Sequence, residues 1–94
     1  MNKTIELKFP LTLTRLTDNP YGRKIFKEQV EAEIDYNGIN TICFPDHIIR
    51  ASSSFVQGFF SEIVKRLGYD KLQEHIVIRA KNQTLIDSVW KNLL

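Results

Sequence analysis

The stretch PDHIIRASSSFVQGFFSEIVKRLG, residues 45–68, decides the fold because it joins the end of an apolar strand to the most strongly patterned helix of the chain. Its apolar residues recur at the spacing of one broad helix face: Phe55, Val56, Phe59, Phe60, Ile63, Val64 and Leu67. The segment from Ser54 to Gln57 fits a capping box, which predicts that the helix begins at Ser54. Gly68 can take a left-handed conformation just beyond the last turn. We therefore expect an amphipathic helix whose phenylalanines enter the core.

Strands are predicted on both sides of this helix. Residues 4–9 alternate apolar and polar side chains, as a half-buried strand does. Residues 39–44 and 75–80 are short apolar runs rich in β-branched residues, which is typical of strands in the interior of a sheet. Residues 11–15 continue the alternation after Pro10 and predict a weaker strand at an edge or a bend.

The other segments predict a second helix, a turn and a connection. Residues 82–94 carry an apolar stripe with the same spacing as the central helix and predict a closing helix. Residues 18–22 are a cluster of turn formers. Residues 69–74 are polar and predict a connection between the central helix and the last strand.

The segment of residues 23–40 fits two patterns. Phe26, Val30 and Ile34 lie on one helix face, with Asn37-Gly38 as a C-terminal cap. Residues 30–36 also alternate, and Asn-Gly is the strongest two-residue signal for a β-hairpin. The segment is rich in good helix formers and contains few β-branched residues, so a helix is favoured over a hairpin.

The order of these elements predicts an α/β domain. Strands alternate with helices, which favours right-handed crossovers and a substantially parallel sheet. We expect one domain over residues 1–94, with a mixed, mostly parallel sheet of about four strands and three helices packed on it. A chain of 94 residues can bury one hydrophobic core without disulfides.

Composition and charge narrow the classes of function. The net charge of +2 comes from 13 basic and 11 acidic side chains that are evenly mixed, so we expect neither nucleic acid nor a membrane as a partner. One cysteine allows no intramolecular disulfide, and the first residues lack the apolar region of a signal peptide. The expected compartment is the cytoplasm.

No set of residues in the sequence predicts catalysis or metal binding. Cys43, Asp46 and His47 are close in sequence, and His75 could join them, but neither zinc-ligand spacing nor a nucleophile with its base can be assembled. Cys43 is expected to be a small buried apolar residue. Glycine-rich phosphate loops are absent. We predict no catalytic residues, no metal and no cofactor.

The three serines that open the central helix are the main functional candidates. A helix N-terminus carries unpaired N–H groups and a partial positive charge, so it can hold a cap oxygen, a bound anion or a phosphoserine. Capping needs only one of Ser52, Ser53 and Ser54. Gly58 costs helix stability where it stands, which indicates close approach of a partner or tight packing on the sheet of the domain itself.

The segment of residues 51–60, ASSSFVQGFF, resembles the STAS-like domains of unknown function, in which a strand is followed by a motif like SSF and a helix rich in Phe and Gly. Residues 22–26 are similar to the start of the first helix of that family, and residues 75–80 are similar to its last strand. The resemblance covers residues 20–94. It implies a small α/β regulatory module, related in architecture to anti-anti-sigma factors and working with a histidine-kinase-like ATPase.

In true anti-anti-sigma factors the ATPase phosphorylates a serine in an Asp-Ser-Ser-Gly setting at this helix start, and phosphorylation releases the partner. By resemblance, Ser52 or Ser53 would be the acceptor. The chain departs from that setting, because Ala51 stands where the aspartate would be and Ser54-Phe55 stands where Gly-Leu would follow.

The sequence therefore predicts a non-enzymatic regulatory module that binds a protein partner around the helix start. The expected binding residues are His47, Arg50, Ser52, Ser53, Ser54, Gln57 and Gly58. The alternative is a sensor of a small ligand, nucleotide or anion that uses the same helix N-terminus.

Overall fold

The computed structural model describes residues 2–94 and contains five strands and four α-helices in this part of the chain. In chain order these are β1 Asn2–Glu6, β2 Arg15–Leu16, α1 Asn19–Ile25, β3 Ile39–Cys43, β4 Arg50–Ala51, α2 Ser53–Leu67, α3 Tyr69–His75, β5 Ile76–Arg79 and α4 Gln83–Leu93. A π-helical turn, Phe26–Val30, continues α1. The predicted α/β class is confirmed.

The main sheet has the order β1-β3-β5, and both of its strand pairs are parallel. Ile5 pairs in register with Ile42, and Ile42 pairs with Ile78, so the three isoleucines form one buried row across the sheet. A separate pair of two-residue strands, β2 and β4, is also parallel. The expected sheet of about four strands is thus divided into a sheet of three strands and a short pair.

The long helix α2 packs on the inner face of the sheet, as its apolar stripe predicts. Phe55, Phe59 and Phe60 are almost completely buried. The Phe59 ring lies 6.4 Å from the ring of Phe44, which follows β3, and 6.3 Å from the ring of Phe26. This one helix therefore links the sheet to the segment that follows α1.

The turn predicted over residues 18–22 is wrong, because a helix begins there. Asp18 accepts a hydrogen bond from the Tyr21 N–H at 2.8 Å and caps the helix. Pro20 stands in the first turn, where its fixed φ and missing N–H cost nothing. The local residues that indicate a turn are the same ones that begin a helix.

The helix predicted within residues 23–40 is confirmed only as far as Val30. Residues beyond it form turns, and Asn37-Gly38 leads into β3. Since β3 pairs in parallel with both of its neighbours, the hairpin alternative is excluded.

The loop before β3 is fixed by the side chain of Asn40, which is fully buried. Its amide donates to the carbonyl oxygens of Asp35 at 2.8 Å and His75 at 3.1 Å, and its oxygen accepts from the Asp35 N–H at 2.8 Å. His75 also contacts this loop, with Nδ1 2.8 Å from the Gly38 carbonyl oxygen. These bonds join the start of β3 to the start of β5.

The polar connection predicted over residues 69–74 is wrong, since α3 occupies it and buries Leu72. Gly68 separates α2 from α3 with φ 77° and ψ 161°. Its positive φ agrees with the prediction, but its ψ is extended, a conformation that glycine alone adopts readily. This conformation turns the chain, so that α3 begins at Tyr69, directly after Gly68.

Helices α1 and α2 cross at two glycines, Gly22 and Gly58. A Cβ at Gly58 would lie 2.3 Å from the Asn19 carbonyl oxygen, and a Cβ at Gly22 would lie 2.4 Å from the Phe55 carbonyl oxygen. The tight packing expected at Gly58 is therefore present, but it is made with α1 and not with the sheet.

Candidate functional site

The first turn of α2 is capped by Ser52, two residues earlier than the capping box predicts. The Ser52 hydroxyl accepts a hydrogen bond from the Phe55 N–H at 3.2 Å and donates one to the Thr17 carbonyl oxygen at 2.7 Å. Its backbone N–H donates to the Leu16 carbonyl oxygen at 2.8 Å. Ser52 is thus a structural residue that fixes the start of the helix to the β2 segment.

Ser53, Ser54 and Gln57 are exposed on the first turns of α2. Ser53 and Gln57 line a surface depression together with Lys91 and Asn92 from α4. Their side chains make no hydrogen bond within residues 2–94. Unlike Ser52, these residues are free to contact a partner.

The segment before α1 runs beside the segment before α2. The N–H of Ile49 donates to the Thr14 carbonyl oxygen at 2.8 Å, and β2 then pairs with β4. The pairing sets Arg15 directly beside Arg50, while the next residue pair, Leu16 and Ala51, is buried. Arg15 and Arg50 therefore share one exposed side of this strand pair.

Both arginines lack a counter-charge within the described chain. Arg15 and Arg50 are exposed, and neither side chain has a hydrogen-bond or ion-pair partner in residues 2–94. Like charges on neighbouring strands repel each other, and water and salt screen that repulsion between exposed groups. The two arginines can therefore bind an anionic group without first breaking an ion pair.

Two large apolar side chains are exposed in the same two segments. Leu11 is 83% exposed and Ile49 is 46% exposed. His47 connects the segments, because its Nε2 lies 3.0 Å from the Pro10 carbonyl oxygen. Residue 11 lies in the turn that follows Pro10.

We call this region the helix-start surface. It consists of Leu11, Arg15, His47, Ile49, Arg50, Ser53, Ser54 and Gln57. Two of the sequence-predicted binding residues are set apart from it. Ser52 is committed to the cap, and Gly58 is buried, with the position of its missing side chain taken by Asn19.

The residues considered for catalysis lie apart from one another. Cys43 is half-buried at the end of β3, whereas full burial was expected. His47 contacts Pro10 and His75 contacts Gly38, so the histidines belong to different loops. Within residues 2–94 no group of three His, Cys, Asp or Glu residues is arranged to hold a metal ion.

Comparisons of the chain with models of protein families, with curated proteins and with solved structures give no match. None of the helices in residues 2–94 has the length and apolar character to cross a membrane.

Arg15, Leu11 and Ile49 are site residues that the sequence alone does not identify. Arg15 precedes the serine run by more than thirty residues, and it joins the surface only through the pairing of β2 with β4. The alternation of residues 11–15 was the available signal, because a strand there must have a partner strand.

Proposed function

We propose that the chain is a cytoplasmic regulatory module of STAS-like type that binds an acidic protein partner through the helix-start surface. The observation that carries this proposal is the pairing of Arg15 with Arg50, both exposed and without a counter-charge. An acidic partner supplies the missing counter-charge and can form charge-assisted hydrogen bonds with both guanidinium groups.

The neighbouring side chains favour a protein as the partner. Leu11 and Ile49 offer exposed apolar area in the two segments that carry the arginines, and Ser53, Ser54 and Gln57 offer polar groups. Arginine is among the residues that carry most of the energy in protein interfaces, and the buried core of an interface is apolar. A partner with carboxylates around an apolar contact matches this set.

Phosphorylation of Ser53 would switch this contact. Ser53 is exposed and unbonded, whereas phosphorylating Ser52 would break the cap of α2. In the proposed step the Ser53 hydroxyl oxygen bonds to the γ-phosphorus of ATP, ADP leaves and the hydroxyl proton is released. A phosphate adds a charge of about −1.5 to −2 at neutral pH. It is stabilised at the helix N-terminus and repels an acidic partner.

By its resemblance to the STAS-like family, the chain would find both kinase and partner in one protein, a histidine-kinase-like ATPase. The ATPase would bind the unmodified module, transfer the phosphoryl group and then dissociate. The module itself acts without catalysing a reaction.

Affinity capture tests the proposal. The tagged chain is incubated with lysate of its own organism, and the retained proteins are quantified by mass spectrometry against Arg15→Glu/Arg50→Glu. We expect at least one acidic protein to be retained by the unmodified chain and lost by the double variant. Lys24→Glu/Lys65→Glu, which changes the net charge equally at exposed positions elsewhere, serves as the control. Equal retention by all three chains would contradict the proposal.

The phosphorylation step is tested separately, with ATP and the captured protein. Peptide mapping should place the phosphate on Ser53 and not on Ser52, and Ser53→Asp should weaken capture. A phosphate on Ser52, or unchanged capture by Ser53→Asp, would contradict the proposed phosphorylation switch but not the proposed binding surface.

The same pair of arginines favours a second candidate, a sensor of small anions. Two unpaired guanidinium groups beside a helix N-terminus are suited to phosphate groups. A thermal-shift screen with nucleotides and inorganic phosphate at millimolar concentration tests it, since a ligand that binds only the folded state raises Tm. A rise that Arg15→Glu/Arg50→Glu abolishes would support the sensor, and no rise would exclude it.

A further inference from the structure

One face of the main sheet is uncovered by the described chain. Residues paired in register across parallel strands point to the same face. The inner rows are buried against the helices, whereas the alternate rows form the open face: Asn2 and Ile39; Thr4, Thr41 and Val77; Glu6, Cys43 and Arg79. Ile39 is 43% exposed and Val77 is 44% exposed, and Glu6 and Arg79 at the two edge strands are also exposed.

The topology explains why this face is bare. The strands follow one another in the order β1-β3-β5, and each crossover returns to the next strand along. Right-handed crossovers that progress in one direction place all their helices on the same side. Parallel sheets are ordinarily covered on both faces. The three-stranded sheet therefore presents a surface of a kind that is usually buried.

The charges on the open face are complementary to a second copy of the same face. Glu6, Cys43 and Arg79 form one row, with the acid on β1, the thiol on the central β3 and the base on β5. A two-fold axis along β3 sets Glu6 of one copy opposite Arg79 of the other, and does so twice. It also sets Cys43 opposite Cys43.

A two-fold axis that runs across the strands does not pair Glu6 with Arg79. An axis across the strands would place each strand opposite itself in the reverse direction, which separates Glu6 from Arg79. The axis along β3 also keeps the strands of the two sheets aligned, which is one of the common ways in which two sheets pack face to face. The Thr41 pair meets on the same axis, with small side chains that allow close approach.

We propose that two copies of the chain associate through this open face, with the two-fold axis along β3. The face measures about 14 Å across three strands and about 16 Å along five residues. Such a footprint is well below the area of roughly 800 Å² per partner found in stable interfaces, so the dimer is weak. The face lies on the opposite side of the sheet from α2, and the proposal is independent of the helix-start surface.

The single cysteine provides a direct test. A short bismaleimide should link two copies through Cys43, and the yield should rise with protein concentration. Collisional linking is measured with Cys43→Ser/Gln73→Cys, which moves the thiol to the exposed side of α3. A yield for Cys43 no greater than for this control would overturn the proposal.

Charge reversal tests the arrangement itself. Sedimentation equilibrium over micromolar to millimolar concentrations should show a dimer for the unmodified chain. Glu6→Arg and Arg79→Glu alone should each weaken the dimer by at least about tenfold, because two like-charged pairs replace two ion pairs. A mixture of the two variants should dimerise again, since each then supplies the charge that the other lacks.

Every result of this series decides the proposal. Recovery in the mixture establishes both the face and the axis. A chain that stays monomeric at millimolar concentration, a dimer that both reversals leave unchanged, or a mixture as weak as its components would overturn it. Circular dichroism of the variants confirms that the exposed substitutions leave the fold intact.

Discussion

Substitution of Gly58 by alanine tests the crossing of α1 and α2. At an unhindered helix position this change stabilises by about 1 kcal/mol, because alanine is the better helix former. Here the added Cβ would lie 2.3 Å from the Asn19 carbonyl oxygen and 3.0 Å from the Asn19 Cα. Both contacts are with backbone, so no side-chain rotation relieves them. The two helices must move apart by about 1 Å, in an interior packed as densely as an organic crystal.

The expected magnitude follows from these opposing effects. Overpacking costs about 3 kcal/mol at the unfavourable end of its usual range, and the helix preference of alanine offsets about 1 kcal/mol. We expect the free energy of unfolding to fall by about 2 kcal/mol, and Tm by about 8–16 °C for a domain of this size. Urea denaturation followed by circular dichroism measures the first quantity, and a thermal scan the second.

Two further variants make the result specific. Gln57→Ala changes the neighbouring exposed position of the same helix and should alter stability by no more than about 0.5 kcal/mol. Gly22→Ala should destabilise like Gly58→Ala, because its Cβ would meet the Phe55 carbonyl oxygen at 2.4 Å. The double variant should cost less than the sum, since one displacement of α1 relieves both clashes. A Gly58→Ala chain as stable as the unmodified chain, or more stable, would refute the reasoning.

Three other predictions concern stability. Asn40→Leu should lower the free energy of unfolding by about 3 kcal/mol in urea denaturation, because it removes the three part-buried hydrogen bonds that Asn40 makes with the backbone of Asp35 and His75; a loss below about 1 kcal/mol would contradict this. Ser52→Ala should lower the free energy of unfolding by about 1 kcal/mol, because it removes the N-cap of α2. The matched variant Ser53→Ala should change it by almost nothing, and equal losses in the two variants would show that Ser52 is not the cap. Burial, the largest cause, raises the pKa of Tyr21 and of Tyr36 above the ordinary tyrosine value. Above about pH 10 the folded chain therefore keeps tyrosine protons that the unfolded chain releases. The contribution of the two tyrosines to the free energy of unfolding is constant below the unfolded pKa of about 10 and falls as pH rises above it. In urea titrations between neutral pH and pH 11, the free energy of unfolding of Tyr36→Phe should fall less steeply with pH than that of the unmodified chain. An equal fall in the two chains would contradict the raised pKa of Tyr36.

The fold class and the central helix could be predicted from sequence because their signals are periodic. The stripe from Phe55 to Leu67 and the apolar run of β3 extend over several residues, so a single exception does not hide the pattern. The same holds for α4, whose predicted range of residues 82–94 agrees with Gln83–Leu93.

The errors fall where short signals have two physical meanings. Asp and Pro begin turns and also begin helices, so residues 18–22 indicate a turn although α1 starts there. Asn37-Gly38 is equally suited to a hairpin and to the loop before β3, and only the pairing of β3 with distant strands decides between them. The seven residues of α3 bury one leucine, too few for a periodic pattern.

The candidate site was predicted in part for a related reason. The serines and Arg50 are contiguous in the sequence, whereas Arg15 and Leu11 reach the same surface through tertiary pairing. The sequence also does not decide between Ser52 and Ser54 as the cap of α2. Ser52 is held in place by its hydrogen bond to the Thr17 carbonyl oxygen, which follows β2 and is distant in the sequence.

The affinity of the captured partner for Arg15→Gln/Arg50→Gln tests most directly whether the paired arginines bind an acidic partner. Isothermal titration calorimetry at physiological salt compares this variant with the unmodified chain and with Lys24→Gln/Lys65→Gln, which removes the same charge elsewhere. We predict that Kd rises at least about thirtyfold for the arginine variant, because truncating one partner of a charge pair that is buried in an interface costs about 2 kcal/mol or more. The lysine variant should change Kd less than about threefold. Equal Kd values for the arginine and lysine variants would contradict the proposed function.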